Sequence, residues 1–101
     1  MIISNGSKKN QGIDSATNSK KTVLTSSTEI LPATNRTQLV LQNTSANDVW
    51  VALGATAVVG EGLYLAASGG VITMNDYGTY DGVINGIADG GSADIAYMEA
   101  I

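Results

Sequence analysis

Cysteine and histidine are both absent from the 101 residues. Without Cys there is no disulfide, no thiolate nucleophile and no Cys-ligated metal. Without His there is no His-centred triad, no His-based zinc site and no imidazole switch near neutral pH. No stretch approaches the ~20 consecutive apolar residues of a membrane-spanning helix. The opening Met1-Ile2-Ile3-Ser4-Asn5-Gly6 has no apolar h-region, so it does not read as a signal peptide. The expectation is a protein made and assembled in a cytoplasm, with which the lack of Cys agrees.

What is present fits one compact domain. A chain of this length buries only roughly 60–70% of its unfolded surface, so self-association or docking on a partner would add stability. Two compositions meet near residue 22. Residues 1–21 are rich in Ser, Asn, Lys and Gly and read as a flexible N-terminal arm; residues 22–101 carry nearly all the Val, Leu and Tyr and read as the folded body. Charge divides in the same place. The arm sets Lys8, Lys9, Lys20 and Lys21 against Asp14 alone, whereas the body sets Arg36 against Glu29, Asp48, Glu61, Asp76, Asp81, Asp89, Asp94 and Glu99. An acidic body repels nucleic acid, and four lysines are too few for a nucleic-acid footprint. The arm is either a solvated tail or a basic strap lying on an acidic neighbour, with its four lysines as interface candidates.

The body reads as short strands separated by Gly, Asn and Asp. Pro32 biases Leu31 away from the helical region and puts Ile30-Leu31 at a sheet edge. Gln38-Leu39-Val40-Leu41-Gln42 alternates, as does Val49-Trp50-Val51-Ala52-Leu53, with the turn cluster Asn43–Asp48 between them; the pair reads as a hairpin. Gly62-Leu63-Tyr64-Leu65 and Val71-Ile72-Thr73-Met74, joined through Gly69-Gly70, read as a second hairpin. Asp89-Gly90-Gly91 turns the chain into a last strand, Ala93 to Glu99. Strands at roughly 8–12-residue spacing predict an all-β fold: a small antiparallel β-sandwich or jelly-roll-like barrel. Its expected core is Leu39, Leu41, Val49, Val51, Leu53, Leu63, Leu65, Ile72, Ile87 and Ile95.

Catalytic candidates reduce to carboxylates. Asp76 and Asp81 flank Tyr77-Gly78-Thr79-Tyr80. Glycoside hydrolysis would need them roughly 5–9 Å apart across a sugar, and nothing in the spacing fixes that separation. Asn75, Asp76 and Asp81 offer oxygen ligands for Ca²⁺, but the spacing does not match an EF-hand loop. The commoner role of Asp and Asn in such a segment is to cap their own turns. Gly60-Glu61-Gly62 lacks the Lys-Ser/Thr and the helix of a phosphate loop and reads as a turn. No catalytic, cofactor or metal residue is assigned.

The aromatics say more. Trp50 lies between Val49 and Val51, and Tyr64 between Leu63 and Leu65. If the aliphatic neighbours face the core, both rings face out, where aromatic side chains favour an interface. The plainer alternative is that Trp50 fills a secondary core or lies under the arm.

The order of these features resembles the small β-rich virion proteins of tailed bacteriophages, of the head-decoration or auxiliary-capsid type. The residues that carry the resemblance are Leu31-Pro32-Ala33, Asn35-Arg36, Leu39-Val40-Leu41-Gln42-Asn43, Val49-Trp50-Val51-Ala52-Leu53-Gly54, Leu63-Tyr64-Leu65, Asp76-Tyr77-Gly78, Tyr80-Asp81-Gly82 and Ile87-Ala88. It spans roughly residues 29 to 99 and is a pattern of strand and turn residues, with no catalytic signature. The resemblance implies a non-enzymatic capsid decoration (cement) or head-fibre protein on the outside of the head. It also implies the major capsid protein as partner, a homotrimer, and no cofactor, nucleic acid or membrane. A tail-fibre or baseplate module contacting the host surface is the alternative.

Overall fold

The computed structural model describes residues 15–75 and 78–101. Eight strands follow one another: β1 (Ala16–Val23), β2 (Thr28–Leu31), β3 (Gln38–Asn43), β4 (Asp48–Leu53), β5 (Leu63–Leu65), β6 (Val71–Met74), β7 (Ile84–Asp89) and β8 (Ala93–Ala100). They form two four-stranded antiparallel sheets, one in the order β1-β8-β3-β6 and the other β2-β7-β4-β5. The pairings are nested: β1 with β8, β2 with β7, β3 with β6, β4 with β5. This is the order of a jelly roll, a long antiparallel ribbon folded over on itself into two sheets.

Nesting means that only β4 and β5 are both consecutive and paired; every other connection crosses from one sheet to the other. The two hairpins expected from the sequence, 38–42 with 49–53 and 63–65 with 71–74, are therefore arches. Turn residues announce a reversal of the chain, but they do not say whether the next strand pairs or faces its predecessor. At the first arch a buried side chain decides. Asn43 Nδ2 donates to the carbonyls of Asn47 (2.7 Å) and Leu65 (3.0 Å), and its Oδ1 accepts from the Ser45 amide (2.9 Å). A side chain from β3 thus ties down its own turn and grips β5 in the opposite sheet. At the second arch Gly69 adopts φ 117°, and a Cβ on Gly70 would strike the Ala66 backbone, so both glycines are required by geometry.

The core lies between the sheets and is built by period-two alternation. Leu39, Leu41, Val49, Val51, Leu65 and Ile95 are buried as the pattern predicts, joined by Val23, Ile30, Leu31, Ile84, Ala88 and Ala93. Ile72 is half-buried against that cluster. Leu53 and Leu63 are corrections: they stay 39% and 38% exposed. Leu53 ends β4, and Leu63 opens the three-residue edge strand β5. Ile87 is a third: it is half-buried and pairs with Trp50 in register, on the face turned away from the core. On β2 a register shift between Glu29 and Leu31 lets two consecutive residues, Ile30 and Leu31, both turn inward.

The boundary of the arm also moves. Residues 16–21, expected to be part of a flexible tail, belong to strand β1, which runs along β8 for eight residue pairs, Ala16↔Ala100 to Val23↔Ala93. Ser15 and Ile101 extend the ladder by exchanging backbone hydrogen bonds at 3.2 and 2.8 Å. Seven of the eight β1 side chains are exposed and only Val23 is buried. Composition failed here because backbone pairing, not apolar burial, holds this strand.

Candidate interaction surface

The sheet β2-β7-β4-β5 turns Val49, Val51, Leu65, Ile84 and Ala88 inward, so the alternate residues Asp48, Trp50, Tyr64, Ile87 and Asp89 face outward. Register sets Tyr64, Trp50 and Ile87 in one row across three strands, and sets Asp48 opposite Asp89 in another. The Trp50 and Tyr64 rings meet with centroids 4.9 Å apart and planes tilted by 36°, a cross-strand aromatic contact. Tyr64 is 52% exposed and Trp50 is half-buried. Part of this outer face is covered by the long β4–β5 connection. Asn85 donates to the Ala55 carbonyl (2.7 Å), and Ser27 Oγ accepts from the amide of the buried Ala57 (2.9 Å). The connection is thus tied to β7 and to the residue before β2, while Val58 and Val59 in it remain exposed.

Asp48 shapes the electrostatics. Its Oδ1 accepts the Ala67 amide at 2.9 Å. A hydrogen bond to Asp48, then desolvation, then the carboxylate's charge all push the Tyr64 hydroxyl above the ordinary tyrosine value. Two carboxylates facing each other across neighbouring strands repel, so the Asp48–Asp89 end forms an acidic rim to the aromatic row. The arrangement can make flat, partly apolar contacts and accept hydrogen bonds.

The chain matches no family model, no curated protein and no solved structure.

The other candidates lie elsewhere. Lys20 and Lys21 are exposed on β1, at the edge of the opposite sheet, and are not brought to the aromatic pair. Lys8, Lys9 and Asp76 lie outside the described residues. Asp81 is exposed in a loop where its carbonyl accepts the Thr34 amide (3.0 Å), and the Asn75 carbonyl accepts from Gly78 (2.9 Å). Among the described residues no group of three His, Cys, Asp or Glu side chains is placed to hold a metal ion. A shallow hollow of about 300 Å³ on the other outer face is lined by Asn18, Ser19, Val40, Gln42, Ala96, Tyr97 and Met98.

Sequence reasoning missed Arg36. Its guanidinium is fully buried, with Nε on Glu99 Oε2 (2.8 Å), NH1 on the carbonyls of Tyr80 (2.6 Å) and Gly82 (2.9 Å), and NH2 on that of Pro32 (2.6 Å). One side chain clamps the β2–β3 and β6–β7 connections to β8. The available signal was that Arg36 is the single cation among the eight acids of residues 22–101.

Proposed function

We propose that the chain is a non-enzymatic structural protein of a tailed-phage virion, a capsid decoration or head-fibre protein that binds the major capsid protein on the outside of the head. The observation that carries this reading is the outward-facing Trp50–Tyr64 pair, its Tyr64 ring exposed, on an outer sheet face of a jelly roll. Rigid aromatic side chains presented this way are the usual anchors of protein interfaces. The small body and the resemblance in strand and turn residues point the same way. The carboxylates beside the rings, Asp48 and Asp89, favour a second reading. Pyranose sugars stack on aromatic faces and donate hydroxyl hydrogens to carboxylates, so a tail-fibre or baseplate module would use this face on host glycans.

Cosedimentation with expanded heads of the phage that encodes the chain tests the first reading. The full chain should pellet with the heads, and Trp50→Ala with Tyr64→Ala should abolish pelleting while leaving a β-type circular dichroism spectrum. A chain that stays in the supernatant but binds glycan arrays through Tyr64 would replace the first reading with the second.

A further inference from the structure

The four sheet edges are unequal. β2, β5 and β6 offer four, three and four residues, whereas β1 offers eight and, among the described residues, pairs only with β8. Long open edges are what natural sheets avoid, because their unpaired N–H and C=O groups template pairing with another chain. The groups left open on β1 can be named. Ser15 and Ile101 exchange hydrogen bonds in both directions, which makes them a hydrogen-bonded pair. The antiparallel alternation then gives Thr17, Ser19, Lys21 and Val23 to β8, and turns the N–H and C=O of Ala16, Asn18, Lys20 and Thr22 to the free edge.

We infer that this edge binds the same edge of a second copy across a two-fold axis at Ser19. A two-fold axis perpendicular to the sheet makes the strands antiparallel and keeps corresponding faces on one side. Centred on Ser19, it sets Ala16 opposite Thr22 of the other copy and Asn18 opposite Lys20, each pair exchanging two hydrogen bonds. All four outward residues are then satisfied in both copies, and the four-stranded sheet continues into its mate. The neighbouring registers fit worse. Centring on Asn18 leaves Thr22 beyond the partner's β1. Centring on Lys20 leaves Ala16 beyond it and sets Lys20 against Lys20, a destabilising like-charge pair. The lysines thus act as a register filter, closing the edge to indiscriminate pairing while leaving one alignment. Two-fold association of this isologous kind is the commonest among soluble homo-oligomers. The inference does not depend on head binding, because it concerns the free chain in solution.

The absence of cysteine makes the register directly testable. The Ser19 residues form a non-hydrogen-bonded pair about 4.5 Å apart at Cα, within disulfide range. Ser19→Cys in the full chain should give a covalent dimer on mild oxidation, whereas Thr17→Cys and Lys21→Cys singly should not, since residue 17 faces residue 21. A Ser19→Cys chain that cross-links no better than Thr17→Cys overturns the register. Light scattering supplies the second readout. The native chain should be a dimer that tightens with added salt, as screening relieves the four lysines along the seam. Asn18→Pro should weaken it about tenfold or more. That substitution removes an edge-facing N–H and no bond to β8, so the protomer keeps its circular dichroism spectrum. A monomer at all concentrations, a trimer, or an assembly that loosens with salt would each overturn the inference; loosening would indicate that β1 lysines dock on acidic neighbours.

Discussion

Strand β8 has two neighbours, and they are held to it by different forces. β3 runs beside it from Gln38↔Ala100 to Asn43↔Ile95 and buries Leu39, Leu41 and Asn43 between the sheets. β1 runs along the other side for a longer ladder and buries Val23 alone. The backbone bonding is alike, but the side-chain contribution differs: two buried leucines and a bonded asparagine on one side against one buried valine on the other. One ladder can thus be nearly all hydrophobic burial on one side and nearly all main-chain pairing on the other. Substitutions should distinguish them sharply.

The largest effect should come from the clamp that holds β8 to the connections around β3. Arg36→Ala leaves Glu99 and three carbonyls without their donor, and breaking a buried ion pair costs about 3–5 kcal/mol. Urea unfolding should show this as a large fall in midpoint; a change under ~1 kcal/mol would mean that water replaces the guanidinium freely. Next comes Leu41→Ala, at about 2–5 kcal/mol for a fully buried leucine, read by the same titration. On the β1 side, Thr17→Ala should stay within about 0.5 kcal/mol, as for exposed positions generally. A loss as large as that of Leu41→Ala would erase the contrast between the two ladders.

The smallest effect concerns the outer face. The raised Tyr64 hydroxyl should ionise later than ordinary tyrosine in an ultraviolet absorbance titration, and Asp48→Asn should bring it back down. The sign for stability follows. A group whose folded pKa lies above its unfolded one adds stability below the unfolded value and loses it as pH rises through the folded one. The Asp48–Tyr64 contribution should therefore fade only in alkaline solution, above the ordinary tyrosine pKa of about 10.

The same contrast explains what was readable in the residues. Alternation placed Leu39, Leu41, Val49, Val51 and Leu65 inward and the Trp50 and Tyr64 rings outward, because a strand with one face on a core writes its period into the sequence. β1 has no such period, so its residues pass for a polar tail. Sheet assignment was hidden for another reason: Asn43 and Gly69-Gly70 mark turns whether the following strand pairs or crosses. Arg36 was hidden because burial of a charge depends on partners as far along the chain as Glu99. The aromatic pair was legible as a surface feature, while the acidic rim beside it required the register of Asp48 against Asp89.

The nested pairing has a consequence for the order of folding. The pair β4·β5 closes the shortest loop, residues 54–62; each outer pair, β3·β6, β2·β7 and β1·β8, joins residues farther apart in sequence. Loop closure has an entropic cost that grows with the length closed, and each inner pair shortens the loop left for the next. The body should therefore zip outward from the β4–β5 hairpin, slowly for its size because most contacts are non-local. β1 docks last, so its open edge exists only on a chain whose core has already closed.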